Sequence, residues 1–413
     1  MTPNPALGVF FHWLGGLASG SFYVPYRGVK HWSWETYWLV GGVFSWILAP
    51  WLFAGLLTRH LPAVLAHTSG KTLFWCFFFG LLWGVGGLTF GLTMRFLGLS
   101  LGMAIVMGLC AAFGTLMPPI FNGTFTRQVL GTTSGRVTLF GILVCLVGIA
   151  IAGMAGIYKE RAMSADAQQS SVAEFDLKKG FVVALVSGVM SACFAYGLAA
   201  GNPIKAETMR LGTAPLWQGL PVLVVVLLGG FATNFIWTVY LNVRNRSGHE
   251  YLARCPSDLS STEKGTDSYV HAPKTGLGHS RSVLGGLQPI EETALTGPMA
   301  SVLTHSATQV LPETVRVPLL SNYVFCAIAG VTWYLQFFFY SMGETKMGAY
   351  TFSSWTLHMA SIVIFSTLWG IGLNEWKGAG RTAICLLVTG LLVLLGSTLI
   401  VGYGNYLAAI PRR

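Results

Sequence analysis

Runs of apolar residues long enough to cross a bilayer as a helix recur from one end of this chain to the other. The hydrocarbon core demands about 20 such residues per helical span. The stretch 137–157, VTLFGILVCLVGIAIAGMAGI, carries no charged side chain at all. In lipid every backbone N–H and C=O must be satisfied within the protein, which leaves helices or closed barrels. The alternating apolar and polar pattern of barrel strands is absent. The sequence therefore predicts an all-α polytopic membrane protein. Ten helices are expected, at about 6–25, 33–58, 72–96, 98–121, 136–157, 180–200, 215–243, 319–343, 349–372 and 381–404. Only 10% of the residues are charged, against roughly 25% in a soluble domain. The start MTPNPALGVF lacks basic residues, so the first helix is read as retained rather than cleaved.

The spans divide the chain into a first five-helix half at 1–157, a cytoplasmic connector at 158–179 and a second five-helix half at 180–413. A polar insert rich in Ser, Gly and Thr fills 244–316 and lacks apolar periodicity, so it is read as flexible. The two halves share a pattern. GVFFHWLGGLASGSF (8–22) aligns with GFVVALVSGVMSACF (180–194), matching Gly8, Gly16, Ser19 and Phe22 to Gly180, Gly188, Ser191 and Phe194. With five helices in each half, the second sits upside down relative to the first. Lys and Arg near the span ends number 13 on the face away from the termini and nine on the face that holds them. The positive-inside rule then puts both termini on the outer side. The net charge of +10 is assigned to cytoplasmic loops, not to nucleic-acid binding.

The segment 331–360, VTWYLQFFFYSMGETKMGAYTFSSWTLHMA, sets polar groups inside apolar runs. Trp333, Gln336 and Tyr340 share one helix face; Thr351, Trp355 and His358 share a face of the next helix. Polar groups in hydrocarbon are costly unless paired or turned toward a wet cavity. Aromatic rings beside amide, hydroxyl and imidazole groups suit a small polyhydroxylated solute. The competing reading is interhelical packing with satisfied hydrogen bonds. At 1.5 Å of rise per residue, His12, Gln336 and His358 fall at a similar depth, which points to one cavity. A proton-coupled carrier needs a group that titrates near neutrality, and His12, His358 and Glu35 are the candidates. No P-loop, Rossmann fingerprint, H-E-x-x-H or G-x-S-x-G occurs, so neither an enzyme nor a nucleotide-driven pump is expected. The seven cysteines include no C-x-x-C pair and are read as buried apolar residues without metal or disulfide roles. No cofactor is expected.

The segments KHWSWETYW (30–38), FGLTMRFLGLSLGMAI (90–105), GTLMPPIFNGTF (114–125), FDLKKG (175–180), WYLQFFFYSMG (333–343), SWTLHM (354–359) and EWKGAGR (375–381) closely resemble the L-rhamnose–proton symporter family, within the drug/metabolite transporter superfamily. The resemblance covers nearly the whole chain in order. It implies an inner-membrane carrier of ten helices in two inverted halves that imports a 6-deoxyhexose with a proton. The insert at 244–316 departs from the family pattern, where this loop is shorter. The expected substrate site is Trp333, Gln336, Tyr340, Trp355, His358 and His12, with a sugar, a proton and the bilayer as partners. Two alternatives stand beside this: the same fold carrying another sugar or metabolite, and a non-transporting membrane sensor that signals through the long loop.

Overall fold

The computed structural model describes residues 3–97, 99–162, 177–252 and 317–410. Its long helices are α1 (Pro5–Ser21), α2 (Trp34–Leu57), α3 (Gly70–Leu97), α4 (Leu99–Phe121), α5 (Thr133–Arg161), α6 (Leu177–Ala200), α7 (Leu220–Asn245), α8 (Leu319–Glu344), α9 (Ser353–Gly372) and α10 (Gly380–Ala409). Among the described residues α2 to α10 make nine helices long and apolar enough to cross a membrane. α1 has 17 residues and continues through Phe22, itself helical at φ −64° and ψ −23°, into a further turn at Tyr23–Tyr26. Most of the insert, residues 253–316, and the middle of the connector, residues 163–176, lie outside the described residues. Large side chains such as Leu56, Ile236, Leu392 and Leu399 are exposed along spanning helices, where lipid is their solvent.

Local chemistry explains where the helices begin and bend. Asn4 caps α1: its side-chain oxygen accepts from the Leu7 N–H at 3.1 Å, and Pro5 opens the first turn. The Asn4 N–H in turn donates to the Lys346 carbonyl at 3.0 Å, tying the start of the chain to the turn after α8. Within α2, residues Val43–Leu48 widen into π-helix. Pro50 follows, lacks an N–H and would strike the Trp46 carbonyl in a regular helix, so the loosened turn relieves both problems. α4 runs through Pro118 and Pro119 and ends two residues later. The carbonyls of Gly114 and Thr115 therefore lack their usual i+4 donors. Thr351, expected on the ninth helix, lies in the turn before it. Gly348 takes a left-handed φ of 65° there, and α9 starts only at Ser353, whose hydroxyl donates to the Tyr350 carbonyl at 2.7 Å.

Small residues set the packing. A β-carbon at Gly16 would collide with Ser361, and one at Gly20 would fall 2.9 Å from the Ser366 nitrogen, so α1 lies directly on α9. Gly80 of α3 likewise meets the Val226 carbonyl of α7, and Gly84 abuts Thr233. α1 packs on α8 and α9, α6 packs on α3 and α4, and α5 runs along α10. Both described ends of the chain reach the same face of the bundle, here called the terminal face. The ends of α4, α6 and α8 and the starts of α5 and α9 share it.

Candidate functional site

α8 supplies the central side chains. Gln336, Tyr340 and Glu344 are spaced by four residues and lie along one face of the helix. Tyr340 is buried, and its ring stands 5.3 Å from the His12 ring, 5.3 Å from the His358 ring and 5.8 Å from Trp355. His12 arrives from α1 because Gly343 leaves room for it: a β-carbon there would sit 2.8 Å from the imidazole. Gly15 likewise admits the Gln336 carbonyl and the edge of His358. Both histidines are fully buried, and among the described residues none of their four ring nitrogens has a hydrogen-bond partner. Each such buried group costs about 1–3 kcal/mol, so two unpaired imidazoles in one layer are expensive for the fold alone.

Tyr340 and Trp355 form part of the wall of a cavity that opens at the terminal face. Its empty space is about 680 Å³, some of it open solvent. One wall is the end of α4, with Gly114, Pro118 and Pro119; Asn122, Thr124, Gln128 and Asn202 set amides and a hydroxyl around the opening. Trp355 is held firmly. Its indole N–H donates to the Cys110 carbonyl at 3.0 Å, and Gly114 is needed because any side chain there would meet the ring. Thr115 and Thr356 bond at 2.7 Å beside it. The two imidazoles lie behind the Tyr340–Trp355 wall and do not line the cavity.

An aromatic layer closes the bundle below this cavity. Phe194 stacks on Phe337 at 4.0 Å and on Trp355 at 5.8 Å, and Trp83 meets Phe194 at 5.0 Å. Trp333 lies beyond that layer, 5.7 Å from Trp83 and 5.5 Å from Trp46. It lines a second, much smaller hollow with Phe22, Tyr26, Trp38 and Trp46, with room for about one water. Seven residues of helix put it about 10 Å along the axis from Tyr340. The structure thus brings His12, Gln336, Tyr340, Trp355 and His358 together and sets Trp333 apart. Glu35 is also apart, at the start of α2 on the face opposite the cavity. Its carboxylate accepts from Asn245 and Ser247, each at 2.9 Å. The same face carries the Arg27–Glu375 ion pair at 3.2 Å and the Lys159 ammonium 4.7 Å from the Trp376 ring.

Sequence reasoning missed one pair at the cavity. Lys205, on a short helix Asn202–Arg210, donates to both carboxylate oxygens of Glu344 at 2.8 and 2.9 Å. The signal was Glu344 itself, one turn past Tyr340 on the same face; its partner could not be read because the short helix is polar and spans nothing.

A bundle of membrane-spanning helices around a polar chamber that opens at one face defines a polytopic membrane carrier. A family model described as L-rhamnose-proton symport protein matches residues 1–249 and 305–408. The chain is 36% identical over 401 residues to an L-rhamnose-proton symporter of Cronobacter sakazakii, covering 96% of this chain and 97% of the relative. It is 35% identical over 399 residues to the L-rhamnose-proton symporter of Shigella boydii and 34% identical over 399 to that of Mannheimia succiniciproducens, with the same coverage. The chain belongs to the L-rhamnose-proton symport protein family. The unmatched stretch, 250–304, falls inside the insert expected at 244–316.

Proposed function

We propose that this chain imports L-rhamnose, or a related 6-deoxyhexose, together with a proton by alternating access across a bacterial inner membrane. The family is one of transporters, so the chain is a carrier and not an enzyme. The observation that carries the site assignment is the pair of unpartnered imidazoles behind Tyr340 at the base of the cavity. Sugar enters from the terminal face, taken as periplasmic. Its apolar face lies on Tyr340 and Trp355. Its hydroxyls displace the wall far enough to bond His358, His12 and Gln336, which satisfies nitrogens that the apoprotein leaves bare. The Phe194–Phe337 layer then parts, and the sugar passes the hollow lined by Trp333.

Neighbour relations support two inverted halves at 1–157 and 180–413. α1 packs on α8 and α9, and its counterpart α6 packs on α3 and α4, which is what exchanging the halves requires. α5 and α10, the last helices of each half, pack on each other. The test is uptake of labelled L-rhamnose by proteoliposomes under an inward proton gradient. Accumulation above the external concentration is expected, together with rhamnose-dependent proton entry. Uptake that ignores the gradient would refute coupling, and counterflow favouring another sugar over rhamnose would refute the cargo.

A further inference from the structure

We infer that Glu344, clamped by Lys205 at the cavity, is the group that takes up the co-transported proton; this rests on the transport reading above. Glu344 is the one carboxylate among the residues lining the cavity, and the other titratable group there, Tyr340, is a phenol. A phenol does not ionise near neutral pH. The Lys205 ammonium bonds both carboxylate oxygens, and the two side chains are only 12% and 19% exposed, so the pair is half-dry yet reaches the aqueous opening. By contrast, among the described residues the ring nitrogens of His12 and His358 have no hydrogen-bond partner, and a lone charge in a dry site costs several kcal/mol. A proton arriving from outside meets Glu344 first.

Geometry links that proton to the sugar. Glu344 follows Tyr340 by one turn of α8, and Tyr340 is the wall in front of both imidazoles. A proton from bulk water adds to a carboxylate oxygen, giving a neutral acid, while Lys205 stays an ammonium. The doubly bonded ion pair is lost. The short helix Asn202–Arg210 and the end of α8 are then free to separate, and the acid gains an O–H to donate to a sugar hydroxyl. On release to the other side the proton leaves, and the carboxylate reclaims Lys205. The other charged and titratable neighbours are few. Lys346 follows Glu344 by two residues and has an interaction of its own. Glu207 on the short helix bonds Arg210 and His67. Cys76 of α3 lies within electrostatic range of Lys205, and His12 abuts Gly343.

The experiment compares wild type, Glu344→Gln and Lys205→Gln in proteoliposomes, measuring rhamnose counterflow at equal pH and accumulation under an inward proton gradient. Glu344→Gln is expected to show counterflow above protein-free vesicles while its gradient-driven accumulation falls to the equilibrium ratio. Lys205→Gln removes the cation that bonds both oxygens of Glu344. Its counterflow-versus-pH profile should differ from that of wild type. Gradient-driven accumulation by Glu344→Gln at the wild-type level would overturn the proposal. If that variant is inactive in both assays, an unmoved Lys205→Gln profile overturns it instead. Failure of wild type to accumulate rhamnose would overturn the transport reading itself.

Discussion

Replacing His358 by Leu separates a binding residue from a packing residue. The two side chains have similar volume, and volume-conserving exchanges in a core cost less than about 1.5 kcal/mol. Against that stand two ring nitrogens with no hydrogen-bond partner. Their burial costs about 1–3 kcal/mol each, and Leu removes both, so the variant is expected to be more stable by at least about 0.5 kcal/mol. Sugar binding should move the other way. A hydroxyl stranded against Leu loses about 1–3 kcal/mol, or about 5- to 150-fold in Kd. The assay pairs a thermal unfolding scan of purified protein with rhamnose titration of its tryptophan fluorescence. Trp355 lies 6.2 Å from the replaced ring and reports on the site. An unfolding midpoint at or above wild type with weakened binding is the expected result. A lowered midpoint with unchanged affinity per folded molecule would mean that His358 only fills space, and the account of the imidazole pair would fail with it.

Three further outcomes follow from particular contacts. Gly16→Ala puts a β-carbon 2.6 Å from the Ser361 carbonyl carbon, so α1 must lift from α9; a loss of about 1–3 kcal/mol is expected in the thermal midpoint, and an unchanged midpoint would contradict the packing. Arg27→Gln breaks a pair whose side chains are 36% and 33% exposed, which should cost under about 1 kcal/mol of stability. It should nevertheless make a reporter cysteine at Ser45, on the smaller hollow, react faster with a thiol reagent, because that face opens more often; equal labelling rates would remove Arg27 from the closure. Trp333→Ala strips a ring from contact with Phe22, Trp46, Trp83 and Phe337, so lost abundance is expected, by about 3–5 kcal/mol of packing. Trp333→Phe keeps most of that packing and should slow uptake without lowering abundance; parallel losses would assign Trp333 to folding alone.

The helices were legible because the bilayer imposes a length and a polarity that sequence reports directly. Expected and observed bounds of α2 to α8 agree within a few residues, since each run ends at a polar or Gly/Pro cluster. Depth alone put His12, Gln336 and His358 at one level and predicted one shared chamber, but none of the three lines the cavity, because Tyr340 and Trp355 stand in front of the imidazoles. What failed was the finer grain. Helix-face arithmetic put Trp333 beside Tyr340, but seven residues of rise carry a side chain past an aromatic layer that only tertiary packing creates, through Phe194 of α6 and Trp83 of α3. Glu35 drew notice as an acid near a span, and its bonds to Asn245 and Ser247 depend on where α7 ends. The Lys205–Glu344 pair joins residues 139 positions apart, beyond the reach of any local pattern.

The cavity is open at the terminal face and closed beneath, and the nature of that barrier bears on how a gradient can drive the cycle. Beneath the cavity the barrier is mainly aromatic, with Phe194, Phe337, Trp355 and Trp83 in mutual contact. Each ring pair contributes about 0.5–1.5 kcal/mol beyond its area, so parting four of them costs about 2–6 kcal/mol. Moving a two-state equilibrium from 1:99 to 99:1 takes about 5.5 kcal/mol of differential affinity. A sugar that gains a few hydrogen bonds of about 0.5–1.5 kcal/mol each falls short of the upper part of that range. Sugar by itself would then bind and leave by the side it entered. A second ligand acting on a different element closes the gap, and neutralising a carboxylate at the end of α8 loosens the same helix that carries Phe337. At the upper part of that range coupling follows from this division, because the sugar alone does not supply the free energy that the aromatic layer demands.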